Sequence, residues 1–173
     1  VGGTGGTTTT PTTGTTGTTP VVTVPAGSGL TVTLASDQPA AGLFGESFAS
    51  RPFTKLLFTA SSDGDVTVKS LTVKRTGQAN DAVFSGVISL DEDGLRMGSS
   101  KTFGSDHTLK LTEKFTVKAG TTKAVILAGD SDSDQNDYNG QLASLSLVAV
   151  DAGSTTVNAS FDLTGNQMTV NST

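Results

Sequence analysis

From residue 21 onward, apolar and polar positions alternate in short bursts broken by glycine- and aspartate-rich turns. That period of two is the pattern of β-strands with one face in a core. Val21-Val22-Thr23-Val24 and Leu30-Thr31-Val32-Thr33-Leu34 open the series, with a Pro-Ala-Gly-Ser-Gly break between them. Further strands are predicted over residues 53–60, 66–74, 83–90, 108–111, 114–118, 122–128, 142–150, 155–163 and 167–170. Turn signals stand between them at Asp63-Gly64-Asp65, Asp93-Gly94, Ala119-Gly120, Ala152-Gly153 and Gly165-Asn166. Strands spaced about 8–12 residues apart, with no helical period, predict an all-β sandwich or barrel.

The alternation also assigns faces. Leu56, Phe58 and Ala60 share one face of their strand, opposed by Lys55 and Thr59. Val66 and Val68 point one way, but Leu71 and Val73 fall out of phase with them. A bulge near Lys69-Ser70, or a strand that changes sheets there, absorbs the slip. Leu145, Leu147 and Ala149 are expected on the core side of their strand, and Ser144, Ser146 and Val148 opposite. The one place for a helical turn is residues 42–49, where Leu43, Phe44 and Phe48 cluster.

Composition divides the 173-residue chain at residue 20. Residues 1–20 hold eleven Thr, six Gly, two Pro and one Val, without a charge. Such a segment has too little apolar surface to offset its ordering entropy, so a neighbouring subunit, its own domain or bulky sugars must hold it. Thr- and Pro-rich stretches of this kind form O-glycosylated stalks. The acceptors here are Thr4, Thr7, Thr8, Thr9, Thr10, Thr12, Thr13, Thr15, Thr16, Thr18 and Thr19. Fully extended, the segment reaches about 60 Å. A flexible linker is the plainer reading. Residues 21–173 form the single β-sandwich domain. A chain that begins at Val1 with no charged-then-apolar leader fits a processed, exported protein at the cell surface.

The rest of the composition narrows the chemistry. With 11 Lys+Arg against 16 Asp+Glu the net charge is −5, which disfavours nucleic acid as a partner. No run of about 18 apolar residues exists to span a bilayer. Cys is absent, and with it disulfides, thiolate catalysis and Cys-based zinc sites. There is no Trp, one Tyr and one His, so aromatic lining for a sugar cleft is scarce. No G-x-S-x-G surrounds a nucleophile for His107, and the adjacent Asp106 faces the opposite way on a strand. His107 reads as a loop histidine, and no constellation supports an enzyme.

Two acidic runs remain. Asp130, Asp132, Asp134 and Asn136, with Asp137 following, place oxygens at alternate positions, as a Ca²⁺ loop does. The EF-hand pattern fails, because Gln135 stands where Gly is needed and Gln141 where the bidentate Glu belongs. A looser Ca²⁺ site and a solvated turn capping its own backbone both fit. Asp91-Glu92-Asp93-Gly94 reads as a hairpin turn. Asn158-Ala159-Ser160 and Asn171-Ser172-Thr173 are N-glycosylation sequons.

The stretches LTVTLASDQPA, FTKLLFTASSDGDVTVKSLTVKRTG and VKAGTTKAVILAGDSD resemble Ig-like sandwich modules of secreted bacterial surface-layer and cell-surface proteins. The likeness covers about residues 30–134 and implies an envelope or extracellular role, with no catalytic residues to carry over. The fold class expected is an Ig-like or jelly-roll-type antiparallel sandwich behind an extended tail. A lone module that builds something larger needs a link between copies, and sheet augmentation by an extended strand is the route open to it. Val22, Val24, Leu30, Val32 and Leu34 supply alternate apolar side chains for such a donated strand. The expected function is therefore a pilus-like extracellular filament whose subunits polymerise head to tail, the partners being copies of the chain. The second reading is a surface-layer or adhesion sandwich that binds cell-surface glycans, with a Ca²⁺ loop and no other cofactor.

Overall fold

The computed structural model describes residues 27–173. Among them the chain is all-β, two facing sheets plus a small ribbon. The first sheet has six strands, in the order β12 (Thr156–Asn158), β1 (Gly29–Leu34), β3 (Arg51–Ala60), β10 (Thr122–Ser131), β6 (Phe84–Leu90) and β7 (Arg96–Lys101). The second runs β2 (Gly42–Phe44), β14 (Met168–Val170), β11 (Leu142–Asp151), β5 (Ser70–Gly77) and β8 (Thr108–Leu111), with β13 (Leu163–Thr164) also on β11. β4 (Val66–Val68) and β9 (Phe115–Val117) form the ribbon.

Alternation places the core between the layers. Leu30, Val32, Phe53, Leu56 and Phe58 come from the first sheet and meet Leu71, Val73, Leu145, Leu147 and Met168 of the second, all essentially inaccessible to water. Phe44, Phe53 and Phe84 pack as a ring cluster with centroids 5.1–5.4 Å apart. The layers are also tied by a polar bridge: the fully buried Thr54 hydroxyl donates to the Leu145 carbonyl (2.6 Å) and accepts from the Gly165 N–H (3.1 Å).

The phase slip after Val68 is a change of sheet. β4 pairs with β9, and after Lys69, whose N–H bonds to the Asp151 carbonyl (2.7 Å), β5 joins β11 and β8. Asp91-Glu92-Asp93-Gly94 is the turn between β6 and β7: the Asp91 carboxylate accepts from the N–H groups of Asp93 and Leu95 (both 2.9 Å), and Gly94 takes a positive φ of 79°.

Five expectations are corrected. Residues 42–49 hold no helix; Phe44 is drawn into the ring cluster, and residues 42–44 pair with β14 as β2. β7, unmarked by apolar alternation, is a strand because it closes a hairpin on β6. A register shift between Leu147 and Ala149 turns Ala149 outward. Residues 155–163 do not make one strand: β12 ends at Asn158, and β13 starts in the other sheet. Two pairings, β1 with β12 and β14 with β2, are parallel where antiparallel ladders were expected.

Candidate functional site

β1 has unequal sides. Against β3 it pairs along its whole length, from Leu30 opposite Ala60 to Leu34 opposite Leu56. Against β12 it pairs only from Gly29 opposite Thr156 to Thr31 opposite Asn158. Beyond Asn158 the chain departs to build β13 on β11, so the first sheet loses its outer strand half-way along β1. The gap is an open groove of about 460 Å³ lined by Thr31, Val32 and Thr33 on one wall and residues 157–160 on the other.

Main-chain direction follows from the neighbouring bonds. The Gly29 carbonyl accepts from Ser61 N–H and the Ala35 N–H donates to the Lys55 carbonyl, both at 3.0 Å, so odd positions bond toward β3. Alternation turns the groups of Leu30, Val32 and Leu34 toward β12 and the groove. With the β12 ladder finished at Asn158, the Val32 carbonyl and both main-chain groups of Leu34 have no partner among the described residues. Leu34 is 37% exposed and Phe161, just past the far wall, 40%.

Leu30, Val32 and Leu34, expected in a donated strand, therefore sit in β1 and complete this chain's own sheet, with Leu30 and Val32 in its core. Val22 and Val24 lie outside the described residues, as do the eleven Thr acceptors of residues 1–20. Of the sequons, Asn158 is exposed and lines the groove. The Asn171 amide donates to the Thr173 carbonyl at 2.9 Å.

The acidic run does not gather round a point. Asp130 closes β10, where its carboxylate pairs with Arg96 and accepts from Ser50 N–H (2.7 Å). Asp132 accepts from Asp134 N–H (3.0 Å), and Asp134 from the Asn136 N–H (3.2 Å) and side-chain amide (2.9 Å). These bonds from Asn136 hold the Asp134 carboxyl below its ordinary range. Asn136 and Asp137 are exposed in a single 3-10 turn, Asn136–Tyr138. Asp132 and Asp134 each cap backbone two residues on, the behaviour of a self-supporting turn. Among the described residues no three His, Asp or Glu side chains are placed to share a metal ion.

His107 has a partner that adjacency in sequence concealed. Its Nδ1 lies 2.6 Å from the Asp81 carboxylate, whose other oxygen accepts from the Arg75 guanidinium. Burial raises the Asp81 carboxyl, but the hydrogen bonds from His107 and Arg75 outweigh it and hold the group below the usual carboxylate value. Asp106 instead accepts from Thr108 Oγ1 (2.6 Å). The trio joins β5, the Asp81–Val83 turn and the start of β8, and half-exposed His107 takes the left-handed φ of 61°. Nothing between Arg75 and His107 in sequence marks the trio, because the β5–β8 pairing creates it.

No protein-family model matches the chain, and no curated protein matches it in sequence.

Proposed function

We propose that this chain is a structural subunit of an extracellular filament, polymerising head to tail by a donated β-strand. The observation that carries the reading is a spare strand sequence. Val21-Val22-Thr23-Val24 stands ahead of a sandwich whose first sheet already has its own leading strand, β1. A short β-branched segment that precedes a sheet's own leading strand is suited to completing another sheet, main-chain bonds giving affinity and pockets for alternate side chains giving register. The home pairing of β1 with β3 narrows the donated part to residues 21–24. A head-to-tail contact of this kind that does not close on itself propagates into a fibre. The Thr residues of the leading segment are the glycan attachment points that the reading supplies.

Electron microscopy of native material tests it: fibres with a regular axial repeat are expected, and deletion of residues 1–26 yields folded monomers. Isolated globules in native material, with the full-length chain monomeric at every concentration, would end the reading.

A further inference from the structure

The filament reading leaves open where a donated strand is received. Three kinds of edge compete. β7 is exposed, but Arg96 and Lys101 bracket it and a register shift against β6 interrupts it, the usual means of discouraging edge pairing. β8 is four residues long, and β2, β12 and the ribbon strands β4 and β9 are three each. The outer side of β1 beyond Thr31 differs from all of them. It is the continuation of a ladder that stops midway, its free main-chain groups face a groove, and apolar Leu34 stands exposed at its end.

We infer that this half-open edge of β1, residues 32–34 facing 158–160, is the acceptor for the Val21-Val22-Thr23-Val24 segment of a second copy. The inference rests on the filament reading and adds its address. An incoming strand continues the sheet where β12 abandons it, giving the Val32 carbonyl and the Leu34 N–H and carbonyl the partners they lack. Its valines meet Leu34 and the apolar wall of Val157 and Ala159.

Geometry selects another copy over the chain's own segment. Gly27 is fixed at the far end of β1, its N–H on the Asp65 carbonyl (2.7 Å) and its carbonyl on Thr155 Oγ1 (3.1 Å). From there Leu34 lies about 23 Å along the strand direction, at about 3.3 Å per residue. Val22 is five residues before Gly27, and five residues reach about 18 Å at most. A hairpin back along β1 is also blocked, because β12 already occupies the edge of Gly29, Leu30 and Thr31.

The absence of cysteine makes the test clean. Single variants Val22→Cys and Leu34→Cys, one isotope-labelled, are mixed, allowed to assemble and oxidised, so that any mixed disulfide joins two copies. The expected product is the mixed dimer, absent when Ser99→Cys on β7 replaces Leu34→Cys. In parallel, Leu34→Pro deletes the groove-facing N–H while Thr33 and Ala35 keep their bonds to β3, a change edge strands tolerate. Folded Leu34→Pro that no longer assembles supports the acceptor. Filaments that persist in Leu34→Pro, or a Val22→Cys link to Ser99→Cys alone, overturn the acceptor and leave the filament standing. A full-length chain that never assembles overturns both. Should Leu34→Pro fail to fold, the disulfide mixture decides.

Discussion

At the scale of single residues, polar atoms placed inside the sandwich decide how the two sheets sit together. Thr54 is wholly buried, yet its hydroxyl is satisfied twice, by the Leu145 carbonyl and the Gly165 N–H. Gly165 lies so close that a Cβ there would fall 2.3 Å from the Phe53 carbonyl oxygen, which is why the approach needs glycine. Thr54→Val keeps the shape but strips both bonds, leaving buried main-chain groups short of a partner at a cost of about 1–3 kcal/mol. Urea unfolding is expected to report that loss. Thr59 offers the control: its hydroxyl meets Thr122 Oγ1 (2.8 Å) in solvent, and Thr59→Val is expected within about 0.5 kcal/mol of the parent. Equal losses in the two variants would mean that the buried bridge is not what joins the layers.

At the scale of elements, the start of β1 hangs on one carboxylate. Asp63 accepts from Ser61 Oγ and from Ser28 N–H (3.1 Å), while the same Ser61 hydroxyl accepts from Gly29 N–H (3.2 Å). The bonds from Ser61 and then Ser28 hold the Asp63 carboxyl at about 2. Because the folded value lies below the unfolded value of about 3.9, this contribution is complete above that pH and lost as pH falls toward 2. Melting temperature measured from pH 5 to about 2 should therefore fall more steeply in the parent than in Asp63→Ala, and parallel curves would refute the anchor. Asp63 itself was legible in the sequence only as a turn residue. Periodicity located the long strands well, since β3, β10 and β11 owe their existence to their own alternating residues. It even registered the sheet change at Lys69, because a face change leaves a phase slip. What it missed was set by partners: β2 exists because Phe44 has rings to pack on, β7 because β6 turns back, and the break after Asn158 because β11 claims β13. The half-open edge of β1 is a consequence of that break, so no pattern within β1 announces it.

At the scale of the whole molecule, the first sheet has a continuous interior and an unfinished border, and its amides should report both. β3 and β10 are bonded on both sides within the layer, and their exchange requires opening of the sheet. β12 is three residues long and held on one side only, so its amides are expected to exchange through local opening. The sharpest contrast falls between two neighbours. Ala35 N–H is bonded to the Lys55 carbonyl, whereas Leu34 N–H faces the groove with no partner among the described residues. In dilute monomer, hydrogen exchange read residue by residue should find Leu34 fast beside a slow Ala35. In assembled material a strand laid into the groove takes the Leu34 amide into a ladder, and its protection should rise toward that of Ala35 while Ala35 hardly changes. If Leu34 is already slow in the monomer, the border is covered by the chain itself and no place is left there for a neighbour.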